Sequence, residues 1–288
     1  MIISGYTFIR NATLLYYPII ESISSILPLC DEFIVNVGDS SDNTLDLIKS
    51  IKNPKIKILE SIWPADVREG GRVFYLQSMK ALSACSGNWA FYIDADMVLH
   101  EQYLERVHDK MSAYLNQPDV EGLLFDFVHF FGSYKYVAGG RKWFRKEIRI
   151  IRNKNGIEPW GDTQGFRRMG KKLRVKHTGA TIFHYGWCRP PNVMKTKQIV
   201  MDSLYHDNEW IQKHHPDPSG VFDYCSGGKL VAFSGTHPSV MNNRVDLQNW
   251  IYNYDPAKVQ QSLKEKILDT IEAKCGWRIG EYKNYELI

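Results

Sequence analysis

Apolar and polar positions follow two alternating rhythms through the first 115 residues. Residues 2–9 form a short apolar run that predicts a strand, and residues 14–28 carry helical spacing up to Pro28. "EFIVNVG" (32–38) is apolar almost throughout, as in a strand covered on both faces. "DSSDNTLDLIKSI" follows, a loop and helix cap leading into a helix. A third strand is predicted over 55–61, a helix over 72–85, a fourth strand over 89–93 and a helix over 100–115. Alternation of this kind implies an α/β fold: a mixed, mainly parallel central sheet flanked by helices. Such sheets bind ligands at the carboxyl ends of their strands.

The rhythm changes after residue 121. "GLLFDFVHFFG" and "EIRIIRN" predict longer strands, antiparallel or mixed, and "ATIFHYGW" (180–187) predicts one more. An aromatic-rich stretch follows "RPP" (189–191), and "PAKVQQSLKEKILDTIEAK" predicts a last helix. No repeat, low-complexity segment or linker interrupts the chain. The expected organisation is a core over 1–195 with an extension over 196–288 packed on it.

Composition narrows this picture only slightly. The chain has 288 residues, ample for a packed core, and 24% are charged, as in ordinary globular proteins. A net charge of +4 permits anionic partners without demanding them. With basic residues confined to one region, a nucleic-acid-binding module is not expected. Cys30, Cys85, Cys188, Cys225 and Cys275 form no CxxC pair, which reads as reduced thiols in a cytoplasmic protein. No targeting segment and no uncharged 18-residue apolar window is visible, so membrane contact is expected to be peripheral at most.

The chemistry concentrates in "FYIDADMVLH" (91–100), where a buried strand ends in Asp94 and Asp96. Carboxylates at i and i+2 leave a strand on the same side and raise each other's pKa. A divalent cation such as Mn²⁺ or Mg²⁺ relieves that repulsion and completes its shell with water and phosphate. An Asp-x-Asp at such a strand end therefore fits a metal held for a diphosphate, while a solvated turn uses the same residues.

With "ISGYTFIRNA", "IVNVGDSSDNT", "ALSACSGNWAFYIDADMVLHE" and "HYGWCRPP" in this order, residues 1–195 resemble family 2 glycosyltransferases with the GT-A fold. The resemblance implies transfer of a sugar from a nucleotide-diphosphate donor, favouring a UDP-sugar, to a hydroxyl of a glycan or lipid-linked acceptor. Inversion by a single, metal-assisted displacement is expected. Arg10 and Asn11 would lie near the nucleotide. Gly70, Gly71 and Arg72 would lie near donor phosphate or sugar, with a surface role open to Arg72. Asp94 would contact ribose or donor sugar and join Asp96 and His184 at the metal. The family's Asp-Gly-Ser order is here Gly38-Asp39-Ser40, so the base-contacting acid is either Asp39 or Asp42, and Asp42 also suits a helix cap.

The catalytic base is expected after the Asp-x-Asp, from Asp126, Glu147, Glu158 or Asp162. Asp162 in "EPWGDTQGF" is preferred and Glu158 is the alternative. Trp143, Trp160 and Trp187 are candidate sugar platforms on the acceptor side, each equally suited to a core. Six of the twelve residues from Arg141 to Arg152 are Lys or Arg, as are six from Arg167 to Lys176. Mostly these predict a solvated face, and otherwise a contact with phosphate or an anionic lipid. His237 in "FSGTHPSVM" is expected to be structural. Rival readings are a catalytically silent protein of the same fold and a sugar nucleotidyltransferase, whose Gly-rich loop "SGYTFIRNA" matches poorly.

Overall fold

The computed structural model describes residues 1–259 and 262–288. The first half runs β1 (Ile3–Ile9), α1 (Ile19–Ile26), β2 (Glu32–Gly38), α2 (Thr44–Lys49), β3 (Ile56–Ser61), α3 (Arg72–Ser83), β4 (Trp89–Tyr92), β5 (Met97–Leu99) and α4 (Leu104–Tyr114). Next come β6 (Gly122–Phe131), β7 (Tyr136–Ala138), β8 (Lys146–Arg152), β9 (Ile157–Pro159), β10 (Phe166–Arg168), β11 (Lys171–Lys172) and β12 (Arg174–Trp187). The chain closes with α5 (Pro191–Asp202), α6 (Asn208–His214), β13 (Leu230–Ala232), α7 (Asn242–Asp246), α8 (Leu263–Cys275) and β14 (Glu286–Leu287).

The result is the mixed α/β architecture expected. Strands β3, β2, β1 and β4 lie side by side and parallel. Antiparallel β8 continues the sheet from β4, and β6 follows antiparallel to β8. Strand β12 runs parallel to β6 and also pairs antiparallel with β5.

Helices cover both faces because each carries an apolar stripe. Ile19, Ile23 and Ile26 of α1, with Val107 and Met111 of α4, pack on Phe33, Phe91 and Phe125. On the other face α3 buries Val73, Phe74, Ala81 and Leu82 against Tyr6, Ile34 and Ala90. Each fully buried Ile or Phe contributes about 1.5–3 kcal/mol. Strands β1, β2 and β4 are buried at every position, which explains their unbroken apolar runs.

Several element boundaries differ from the sequence expectation. The helix expected from residue 14 begins at Ile19, because turns at 11–16 include Asn11 and Tyr16 at positive φ (55° and 56°). It ends at Ile26, and Pro28 lies in a 3-10 turn, Leu27–Leu29. The stretch expected to lead from the fourth strand into a helix at residue 100 instead forms β5 and a 3-10 turn, Glu101–Tyr103. Helix α8 starts at Leu263, where Ser262 and Glu265 form a capping box. Residues 260 and 261 of that predicted helix lie outside the described residues. Among the described residues no helix is long and apolar enough to cross a membrane.

Candidate active site

Parallel pairing of β1 with β4 brings their carboxyl ends to one sheet edge, setting Arg10 and Asn11 beside Asp94 and Asp96. Asp94 accepts hydrogen bonds from Tyr92 Oη and from Arg149 Nη1 (3.0 Å). Arg149 arrives from β8, the antiparallel neighbour of β4, and its other arm holds Glu147. The guanidinium is stacked between Tyr92 and Phe127, 5.2 Å from each ring centre. Burial raises the Asp94 pKa, with Arg149 opposing and Asp96 reinforcing the rise. Burial also pushes Glu147 up to about 8 despite the neighbouring Arg149.

Asp96 has different company. Its Oδ2 lies 3.1 Å from Lys197 Nζ and 3.9 Å from Arg189 Nη2, and its Oδ1 lies 3.6 Å from His184 Nε2. Burial alone would raise its pKa, but Lys197, His184 and Arg189 together hold it well below the usual carboxylate range. Lys197, buried and close to Arg189, is lowered to about 8 even though Asp96 favours its charge.

His184 owes its position to strand pairing: His184 on β12 lies opposite Met97 on β5, and Tyr185 N donates to the Asp96 carbonyl (2.8 Å). Its protonation is set by a chain of bonds. His129 Nε2 meets the Phe144 carbonyl at 2.7 Å, which requires the proton on that nitrogen. Burial and the adjacent His184 depress the His129 pKa to about 3, so its Nδ1 is a bare acceptor. His184 Nδ1, 2.8 Å away, must therefore donate to it. This leaves Nε2 as the His184 nitrogen that faces Asp96, with the ring anchored through the opposite nitrogen as in metal-binding histidines.

These residues enclose a cavity of about 360 Å³. Phe8, Trp63 and Phe74 give it an apolar wall, with Trp63 and Phe74 edge to face at 5.7 Å. Lys197, Met201, Leu204 and Tyr205, in and just after α5, supply another wall. Asp162 also lines the cavity. Its Oδ2 accepts from Tyr205 Oη, while its Oδ1 is buried with no partner among the described residues. Gly71 is required beside them: it holds φ +67°, and a Cβ there would stand 2.7 Å from Tyr205 and 2.8 Å from Asp162.

As a metal site, the donor set is small. Among the described residues no group of three His, Cys, Asp or Glu side chains is arranged to hold an ion. The Asp96 carboxylate and His184 Nε2 fit a divalent cation that displaces the imidazole proton and draws its other ligands from water and phosphate. Asp94 is instead engaged by Tyr92 and Arg149.

No protein-family model and no curated protein matches the chain. Solved structures do match. One is TarS from S. aureus, at 14% identity over 70% of this chain and 39% of that one, with a TM-score of 0.39. Another is glucosyl-3-phosphoglycerate synthase from Mycobacterium tuberculosis, described in complex with Mn²⁺, UDP and glucosyl-3-phosphoglycerate. It is 22% identical over 46% of this chain and 45% of that one, with a TM-score of 0.31. Mannosyl-3-phosphoglycerate synthase from Rubrobacter xylanophilus is 21% identical over 49% of this chain and 43% of that one, again with a TM-score of 0.31. The chain thus spans less than half the length of these three proteins.

Of the residues singled out from sequence, the cavity gathers Arg10, Asn11, Asp94, Asp96, Asp162, His184 and Glu147. Gly38, Asp39 and Asp42 line a separate hollow with Glu60 and Lys80. There Asp39 accepts from Trp63 N (3.0 Å) and pairs with Arg10, while Asp42 accepts from Leu14 N and Thr44 N. Arg72 is exposed at the start of α3, and Gly70 is an open left-handed turn. Glu158 lies outside the cavity lining and accepts from Tyr75 Oη at 2.9 Å. Asp126 pairs with Lys146 and His177. Trp143 and Trp187 pack edge to face at 5.8 Å, whereas Trp160 is 47% exposed beneath Arg167. His237 lies between Tyr185 Oη and the Tyr134 carbonyl.

The basic run is not a uniformly solvated face. Arg149 is buried, Arg141 and Arg145 grip Glu272 and Glu281, and Arg152 caps the carbonyls of Tyr114, Leu115 and Gln117. Sequence reading missed Tyr92, His129, Arg149, Arg189, Lys197 and Tyr205. Arg189 stood inside "HYGWCRPP", Tyr92 inside "FYIDADMVLH" and Arg149 inside the basic run, but no local pattern marks the other three.

Proposed function

We propose that this chain is a glycosyltransferase that moves a sugar from a nucleotide-diphosphate donor, preferably a UDP-sugar, to an acceptor hydroxyl. The observation that carries the reading is one cavity at the carboxyl ends of β1 and β4. It joins the Asp94–Asp96 pair and His184 to a carboxylate with a free oxygen, Asp162, beside an aromatic wall. That combination suits a planar nucleobase, a diphosphate and a base-assisted attack.

In this reading the aromatic wall of Phe8, Trp63 and Phe74 takes the nucleobase, and Arg10 and Asn11 border it. Asp94, fixed by Arg149 and Tyr92, receives hydroxyls of the ribose or donor sugar. Asp96 and His184 would hold a Mn²⁺ or Mg²⁺ ion, which supplies charge stabilisation for the leaving diphosphate. Asp162 serves as the base: Tyr205 orients one oxygen, and the free Oδ1 takes the acceptor's proton. The acceptor oxygen bonds to the anomeric carbon, the bond to the diphosphate breaks, and its electron pair leaves on phosphate oxygen. Attack opposite the leaving group inverts the anomeric centre. Residues 196–288 act as an extension of the 1–195 core on the acceptor side.

Calorimetric titration of UDP and GDP tests this reading, first with Mn²⁺, then with EDTA, and again on Asp96→Ala. Binding that requires both metal and Asp96 is expected, followed by slow cleavage of the matching nucleotide sugar. Absence of binding by either nucleotide with Mn²⁺ present rejects the donor site for them. Binding without cleavage would mark a catalytically silent protein.

A further inference from the structure

Two buried cations, Arg189 and Lys197, share the single carboxylate of Asp96. The Arg189 side chain is fully buried, and its three guanidinium nitrogens make no hydrogen bond among the described residues. Its closest carboxylate is Asp96, at 3.9 Å, and its guanidinium lies over the Tyr17 ring at 4.9 Å. Lys197 Nζ shares that ring at the same distance and donates to Asp96 Oδ2 (3.1 Å) and the Gly186 carbonyl (3.0 Å). An ammonium has three donors, so one remains, on a side chain that lines the cavity.

The local charges can be assigned pair by pair. Asp94 and Glu147 are both held by Arg149, away from Arg189 and Lys197. Among the described residues Asp96 is the one carboxylate within ion-pair reach of both Arg189 and Lys197. A buried cation without full compensation is costly, and here two buried cations share one carboxylate. Of the two, Lys197 lines the cavity and Arg189 does not. Arg189 lies behind it and acts through the field rather than by contact.

We propose that Lys197, backed by Arg189, is a diphosphate-binding cation of this site. Its free donor takes a phosphate oxygen of the donor, and its charge offsets the charge that develops as the diphosphate leaves. The inference deepens the transferase reading and names residues that reading did not need. It places a leaving-group contact on α5, 101 residues in sequence from Asp96.

The experiment is titration of inorganic pyrophosphate in EDTA, beside UDP with Mn²⁺, into the full chain and three variants. Lys197→Met is expected to weaken both ligands at least tenfold, and Lys197→Arg to restore most of the loss. Lys195→Met, on the same helix but bonded to His215 outside the cavity, is expected to match wild type. Uridine affinity should be the same in all four proteins, which separates a phosphate contact from a general loss of the pocket. A thermal melt of Lys197→Met confirms that it folds; if it does not, the Lys197→Gln variant carries the comparison. Equal pyrophosphate affinity in wild type and Lys197→Met, or no pyrophosphate binding by wild type, overturns the proposal. Pyrophosphate needs no nucleobase, so its binding without any nucleotide binding would reject the transferase reading and keep the cation site.

Discussion

Asp162 is the residue on which the proposed chemistry is most exposed to test. It combines a carboxylate oxygen oriented by Tyr205 with a second oxygen that has no partner among the described residues. Asp162→Asn keeps the shape and removes the proton acceptor. Turnover of the nucleotide sugar is expected to fall roughly 10²–10⁴-fold, the usual worth of a general base, with nucleotide affinity kept. Single-turnover rates beside calorimetric affinities measure the two separately. If Glu158→Gln carries the loss instead, the base is Glu158 and Asp162 is a structural partner of Tyr205.

Among the elements, β1, β2 and β3 are tied by one buried acid. Glu32 on β2 accepts from Ser4 of β1, from Ser86 and from Lys57 of β3. Burial alone would raise its pKa, but these bonds outweigh it and bring the group down to about 2. A folded pKa below the unfolded value stabilises the fold above the unfolded pKa, near 4.5. That contribution, about 3 kcal/mol, is lost as pH falls from there through about 2. Urea unfolding from pH 6 down to pH 2 should show wild type losing stability that Glu32→Gln lacks throughout. Parallel pH dependence in both proteins would refute the assignment.

The elements also show what could be read in advance. The alternation up to α4 was legible because buried parallel strands are continuous apolar runs and their helices carry stripes. Asp94 and Asp96 were legible because a buried apolar strand ends just before them, although they lie in the turn between β4 and β5 rather than in the strand itself. The three-residue strand β5 was not, since so short a piece has no period of its own. Yet β5 and β12 bring His184 to Asp96 across the 87 positions between them. Arg149 reaches Asp94 through the pairing of β8 with β4, and Lys197 reaches Asp96 from helix α5; a single sequence encodes neither approach locally.

For the whole molecule, the later chain is stitched to the earlier one at separated points. Arg244 grips Glu21 at 2.9 Å, Arg145 grips Glu281 at 2.7 Å, and Trp250 Nε1 donates to the Gly132 carbonyl at 2.7 Å. Strand β14 joins the edge of β12, and helix α5 runs across residue 195. Residues 196–288 are therefore expected to unfold with the rest. Far-ultraviolet circular dichroism and tryptophan fluorescence should report one coincident transition in urea. Two separated midpoints would show an extension that melts on its own.

The loops after β1 and β2 hold each other through their own side chains. Asn11, in a left-handed turn, accepts from Ser41 N and receives Ser40 Oγ at its own N–H, while Asp42 fastens Leu14 and Thr44. These segments have already surrendered their conformational entropy to one another. A molecule settling against that rim finds it preorganised and loses little affinity to ordering it.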